Sequence, residues 1–325
     1  MTEPFTVGVT GAAGYIGGRV LQELQAAHPD WQIVAGDNFY KGTTRDVGDV
    51  SVQHVDVRDR HALEGVFGDV NILLHLAAVS GVDDCDDNPE LSYETNVVGT
   101  THVARLCHER GIGLVFPASM AILGDPDAFP IQPGSARDPL NWYARTKVLG
   151  ETAIEGFAPD RFPAHVLVKS NLYGGYEVDG ERVSKGTVIN FFIERALAEE
   201  PLTVYEPGTQ ARNFVHVVDV ARAYVRSAER LQDQLAAGET GVDHYMVASD
   251  EDPSVRAVAE TVRSIAREEA GLDPPVELVE NPRSGETLVD RFDVDTSRTH
   301  AELGWAPTHS VEETIQSLVD SGVEG

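Results

Sequence analysis

Cysteine is scarce: the 325 residues hold Cys85 and Cys107 and no others. Two thiols cannot build a disulfide framework, a zinc ribbon or a redox CxxC pair. Long apolar runs are missing too, and none reaches the roughly 18–20 residues of a membrane span. The opening Met1-Thr2-Glu3-Pro4-Phe5 has no basic stretch before an apolar one, so no signal peptide is expected. Repeats, low-complexity tracts and Gly/Ser-rich linkers are absent. The 11 histidines show no HxxxH-type spacing, so no metal is expected. A cytoplasmic protein is the simplest reading. Positive charge is in short supply: 25 basic side chains face 53 acidic ones, a net charge of −28. Such a field repels nucleic acid and anionic membranes, and excludes both as partners. Only four of the cations are lysine (Lys41, Lys147, Lys169 and Lys185); the others are arginine. Heavy acid with little lysine fits a halophilic protein whose self-repulsion is screened by salt, with an ordinary acidic enzyme as the alternative.

What is present is a core-forming composition, 42% hydrophobic and 24% charged. The length is near the limit of a single core. The first half alternates short apolar runs with amphipathic ones. Strands are expected at 5–9, 31–35, 52–55, 70–76, 112–116 and 164–168. Helices are expected at 15–27, 60–67, 89–110 and 142–155. This alternation specifies an α/β fold: a Rossmann-type doubly wound parallel sheet over residues 1–172. A smaller α/β substrate-binding region is expected over 173–325, with the 212–223 stretch returning to the larger part. Val188–Leu197 reads as a core helix, and Asp83–Asp87 as a solvated acidic loop.

Between the first strand and helix lies Gly11-Ala12-Ala13-Gly14-Tyr15-Ile16-Gly17. The first glycine permits a tight turn, the second lets backbone approach a pyrophosphate, and the third lets helix and strand pack closely. Asp37 follows at the end of the next strand, at the spacing such a turn demands. A carboxylate there accepts from a ribose 2′-hydroxyl and repels a 2′-phosphate, which favours NAD over NADP. Asp56 ends the third strand and either accepts from an adenine amino group or caps the helix that follows. Tyr143 and Lys147 share one helix face, and an ammonium near a phenol lowers its pKa from about 10. Ser119, which follows the fifth strand, can hydrogen-bond a substrate oxygen.

With these motifs the chain resembles the extended short-chain dehydrogenase/reductase family, especially its nucleotide-sugar epimerase branch. The resemblance is carried by Thr10–Gly17, Asp37-Asn38, Asp56-Val57, His75–Ala78, Asn96–Thr100, Ser119, Tyr143–Lys147, Asn171–Gly174, Arg212–Val217, Arg283–Glu286 and Leu303–Trp305. It implies Tyr143 as acid/base, Lys147 as the ribose-binding residue that tunes it, and Ser119 as the partner of the reacting hydroxyl. It implies cofactor contacts at Gly11, Ala13, Gly14, Tyr15, Ile16, Asp37, Asn38, Asp56, Val57, Leu76, Ala77, Ala78 and Asn96. Asn171, Arg212 and Arg283 match positions that hold a substrate diphosphate, with surface ion pairing as the alternative for the arginines. Departures at Leu123, Lys169 and Val218 bear on the substrate. The implied activity is epimerisation of a nucleotide-linked hexose at C4, through a transient keto sugar, by a homodimer. Net dehydrogenation or reduction is the main rival, and a non-enzymatic NAD sensor is another. A dehydratase fits less well, because Ser119-Met120-Ala121 lacks the acidic pair that elimination of water requires.

The charge balance has a measurable consequence. If −28 is an adaptation to salt, the melting temperature should climb steeply from low to molar KCl as repulsion is screened. A flat curve would leave an ordinary acidic protein.

Overall fold

The computed structural model describes residues 4–282 and 287–323. The chain begins β1 (Thr6–Thr10), α1 (Tyr15–Ala27), β2 (Gln32–Asp37), β3 (Asp46–Val47), β4 (Val50–His54) and α2 (Arg60–Phe67). Next come β5 (Ile72–His75), α3 (Val82–Asp87), α4 (Pro89–Tyr93) and, after a π-turn over Glu94–Gly99, α5 (Thr100–Arg110). The first half closes with β6 (Gly113–Ser119), α6 (Trp142–Phe157) and β7 (Pro163–Lys169). The second half runs β8 (Asn171–Tyr173), β9 (Gly175–Val178), β10 (Glu181–Ser184), α7 (Val188–Leu197), β11 (Leu202–Tyr205) and β12 (Phe214–His216). It ends with α8 (Val217–Ala237), β13 (Gly241–Val247), α9 (Val255–Ala270), β14 (Val276–Val279), α10 (Ser297–Leu303) and α11 (Val311–Val323).

Eight strands form one sheet in the order β13-β7-β6-β5-β1-β2-β4-β3, parallel throughout except at the β3 edge. β5 and β6 are buried along nearly their whole length, as strands covered on both faces must be. α1 and α8 cover one face through Val20, Leu21, Leu24, Val220 and Tyr224. α2, α5 and α6 cover the other through Leu63, Phe67, Val103, Leu106 and Ile154. The strand order reverses between β1 and β5, which pair Thr10 with His75. Ligands of open parallel sheets bind outside the carboxyl ends of the strands at such a switch point.

The segment that returns to this sheet is longer than the 212–223 stretch marked in the sequence, since it includes α8 and β13, residues 217–247. Val188–Leu197 is a helix at those bounds, and it packs in a separate core with α9, α11 and β11. Two expectations are corrected. Asp83–Asp87 lies within the short helix α3, because Cys85 on its inner face is fully buried and anchors the turn. The single helix expected over 89–110 is interrupted by the π-turn at Glu94–Gly99, an insertion that helices often carry at functional sites. No helix among the described residues is long and apolar enough to cross a membrane.

Three histidines are locked inside as neutral rings. His75 sits between the Thr10 and Thr100 hydroxyls at 2.8 and 3.0 Å, and burial pushes its pKa down to about 3. His165 lies between Ser227 and Gln234, and burial likewise takes it to about 4. His216 caps α8 by accepting from the Val218 N–H, and it too falls to about 4 through burial. The unfolded chain protonates such imidazoles near pH 6.5 while the fold excludes those protons. Stability should therefore fall as pH drops from about 7 to about 5. Calorimetric melting in molar KCl, where surface repulsion is screened, measures this. A melting temperature constant over that interval would mean that the fold holds these rings charged.

Candidate active site

The β1–α1 turn depends on two glycines. Gly11 has φ +68°, and a Cβ there would lie 2.6 Å from the Ala77 backbone nitrogen. A Cβ on Gly17 would overlap the Gly11 carbonyl oxygen. The turn thus seats directly on the end of β5, where Leu76 and Ala77 donate to the Thr10 carbonyl and hydroxyl. No side chain caps α1 and no acidic residue occupies its first turn. α2, by contrast, is capped by Asp59, which accepts from the His61 and Ala62 N–H groups. An uncapped helix N-terminus over a glycine turn suits a pyrophosphate, so the residues present fit a dinucleotide. Tyr15 fastens the turn to the second half by donating to the Gly174 carbonyl at 2.8 Å.

Asp37 ends β2, 8% exposed. One carboxylate oxygen accepts from the Ala13 N–H at 3.1 Å and the other from the Phe39 N–H at 2.7 Å. Burial raises its pKa, opposed by those backbone bonds and the Arg45 charge. Asn38 donates to Asp56 at 3.3 Å. Arg58 pairs with Asp56 at 2.7 Å and with Glu94 at 2.9 Å, and this guanidinium holds the Asp56 carboxyl at about 2. Capping of α2 by Asp56 is therefore incorrect; Asp59 occupies that place. Val57 is buried against Gly99, and Leu76, Ala77 and Ala78 are half-buried along the switch point.

Asn96, in the π-turn, clamps the next segment. Its carbonyl accepts from the Val79 N–H, while its amide donates to the Val79 carbonyl and the Thr146 hydroxyl, all within 3.0 Å. Thr146 in turn donates to the Tyr143 carbonyl at 2.8 Å. The loop after β5 is thereby tied to α6, whose first turn is capped by Asn141. Trp142 donates to the Ser92 hydroxyl at 2.9 Å and fixes the entry to that helix.

These ties bring Ser119, Tyr143 and Lys147 together at the ends of β6 and α6. Burial pushes the Tyr143 phenol up to about 12, and the nearby Ser119 hydroxyl pulls the other way. Burial brings the Lys147 ammonium down to about 8; it lies 5.0 Å above the Phe116 ring. Cys85 packs against Tyr143 and Val79. Asn171 is exposed, with its amide donating to the Asn213 carbonyl at 3.1 Å. Arg212 donates to the Thr287 carbonyl at 2.6 Å, and Thr287 donates to the Gly124 carbonyl. Arg283 lies outside the described residues.

Sequence reasoning marked Lys169 only as a departure from the family pattern, and it passed over Lys185. Lys169 ends β7 in register with Ser119, and Lys185 reaches from the β10–α7 loop to the Ser80 hydroxyl at 2.9 Å. The available signal was the scarcity of lysine. Lys147, Lys169 and Lys185 gather here, while the exposed Lys41 pairs with Asp84 on α3.

Comparison with known proteins identifies the family. The model of the NAD-dependent epimerase/dehydratase family matches residues 7–242. A UDP-glucose 4-epimerase of Caenorhabditis elegans is 28% identical, over 95% of each chain. A UDP-N-acetyl-alpha-D-glucosaminuronate decarboxylase of Bacillus cytotoxicus is 26% identical, over 95% of this chain and 96% of its own. The crystal structure of the Thermus thermophilus UDP-glucose 4-epimerase complexed with NAD superimposes with a TM-score of 0.79, covering 98% of this chain and 99% of the other at 26% identity. The chain therefore belongs to the NAD-dependent epimerase/dehydratase family, in the nucleotide-sugar epimerase branch of the extended short-chain dehydrogenases/reductases, with NAD as its cofactor.

Proposed function

We propose that this enzyme epimerises a nucleotide-linked hexose, or a derivative of one, at C4, with Tyr143 as acid/base. The observation that carries the reading is the Ser119 hydroxyl beside the buried Tyr143 phenol, one helical turn from Lys147 and across the switch point from an uncapped α1. The chemistry that NAD supplies when bound is reversible acceptance of hydride, so no net oxidant is consumed.

Tyr143 takes the proton of the substrate hydroxyl and later returns it to the same oxygen. A phenol held near 12 cannot do this unaided. Lys147 supplies positive charge next to the site, and burial strengthens that field. Ser119 accepts from or donates to the substrate oxygen and keeps it in line with the phenol. Asn171, Arg212 and Arg283 hold the diphosphate, for which the arginine fork suits two oxygens at once. Asn96 acts on the site indirectly, by fixing the Val79 loop against α6. The 3₁₀ turn after Ser119, Met120–Leu123, carries no acid, which disfavours elimination of water.

Asp37 receives the ribose 2′-hydroxyl. Asp37→Ser should weaken NAD binding by roughly 1.5–3 kcal/mol and narrow the preference over NADP, as read by titration of both cofactors. Equal affinity of the unmutated protein for NAD and NADP would overturn that assignment. Tyr143→Phe should lower turnover about 10²–10⁴-fold with little change in NAD affinity. Product sugar and NADH absorbance should be followed together in both proteins. Interconversion of a nucleotide hexose without accumulating NADH is expected. NADH rising one-for-one with product would make the enzyme a dehydrogenase, and full activity in the Phe variant would reject Tyr143 as the acid/base.

A further inference from the structure

The protein carries 53 acidic side chains, yet its two innermost ammonium groups, those of Lys147 and Lys169, lie away from the ion pairs found among the described residues. Among the described residues, neither Lys147 nor Lys169 has a carboxylate in salt-bridge or hydrogen-bond contact. Elsewhere many of the cations are spent on pairing, as in Arg58 with Asp56 and Glu94, Arg137 with Glu151, and Arg298 with Asp243 and Glu302. At the cleft, charges of one sign accumulate instead. Lys169 feels Lys147 from α6 and Lys185 from the β10–α7 loop, and these two charges add to burial in bringing it down to about 7. Crowded interior ammonium groups are costly unless an anion compensates them.

The fold says where that anion lies. The glycine turn and Asp37 stand over β1 and β2, while Ser119 and Lys169 stand at paired positions on β6 and β7, on the opposite side of the switch point. Neighbouring strands run about 4.8 Å apart, so Lys169 begins one strand beyond the serine that faces the reacting hydroxyl. It is thus on the sugar side of the Ser119–Tyr143 pair. The diphosphate already has Asn171 and two arginines in the proposed function. A lysine is a compact point charge, better matched to a single carboxylate than to a bridging diphosphate.

We propose that Lys169 receives a carboxylate carried on the sugar ring, so that the preferred substrate is a nucleotide-linked hexuronic acid rather than a neutral hexose. This rests on the nucleotide-sugar reading of the site and narrows it. Lys147 remains beside Tyr143, Lys185 closes the cleft from the loop through Ser80, and Lys169 selects.

The test is calorimetric titration of the NAD-loaded protein with UDP, UDP-glucose and UDP-glucuronic acid, with the thymidine series in parallel. In the unmutated protein the uronate should bind about tenfold or more tightly than the neutral sugar, and its C4 epimerisation should show the higher kcat/KM. Lys169→Met should weaken the uronate about 10–100-fold and leave the free nucleotide and the neutral sugar within about threefold. Lys169→Arg should retain the uronate preference. An equal loss for all three ligands would assign Lys169 to the diphosphate and overturn the proposal, as would an unmutated protein with no uronate preference. The second result needs no variant, so it stands even if Lys169→Met fails to fold. Absence of binding by every nucleotide and nucleotide sugar in both series would instead reject the underlying nucleotide-sugar reading.

Discussion

The backbone contact between the β1–α1 turn and the end of β5 organises the rest of the molecule. Gly11 lies against Leu76 and Ala77 with no room for a Cβ, and Gly17 lies against Gly11. This contact sits where the strand order reverses, so it both closes the switch point and exposes the free N–H groups of α1 beside it. The Asp37 carboxylate bound to the Ala13 N–H holds the turn from one side. Tyr15, reaching to the Gly174 carbonyl, holds it from the other and joins the two halves of the chain. His75, wedged between Thr10 and Thr100, fixes β1 to β5 and α5 directly beneath. A bulkier residue at Gly11 or Gly17 would therefore disturb the strand pair, the β1–α1 turn and the interface between halves together.

Electrostatics then separates surface from cleft. Outside, acid dominates, and the arginines are largely committed to ion pairs with it. Exposed pairs of that kind contribute little each, so they offset self-repulsion more than they build stability. Inside, Lys147 and Lys169 lie near Ser119 and Tyr143 with no carboxylate in contact among the described residues, while the exposed Lys41 pairs with Asp84. An anionic ligand approaching this protein is repelled by its general field and attracted where the interior lysines lie. That arrangement gives selectivity, because affinity arises where cations are held away from water and from counter-charges.

Much of the site was legible from sequence because its motifs are local. A glycine turn between strand and helix, a carboxylate at the next strand end, and a Tyr–Lys pair one helical turn apart each require only a few consecutive dihedrals to take shape. Helix 188–197 was readable to the residue, since its apolar spacing is strong. Other features were not. Asp56 stood as a possible cap for α2, but in the fold it pairs with Arg58 while Asp59, which the sequence analysis did not single out, accepts from the first N–H groups of that helix. The acidic run at 83–87 looks solvated, yet Cys85 buries one face of it and makes a helix. The π-turn at Glu94–Gly99 has no sequence signature, and it places Asn96 where the Val79 loop and Thr146 can both be reached.

The sequence by itself determined the strand–helix alternation, the glycine turn, the acidic character and the spacing of the Tyr143–Lys147 pair, because all of these depend on composition or on neighbours within a short stretch of chain. Tertiary structure alone decided the company those residues keep. Ser119 at the end of β6 meets Tyr143 on α6, Asn96 in the π-turn meets Thr146, and Lys185 in the second half meets Ser80 in the first. Lys169 stands beside Ser119 only because β6 and β7 pair in one particular register. The physical reason is that register and packing are set by the whole core at once: a one-residue slip would turn Lys169 to the other face of the sheet. A lysine's charge is written in the sequence, but whether it meets an acid, water or another lysine depends on how distant segments pack.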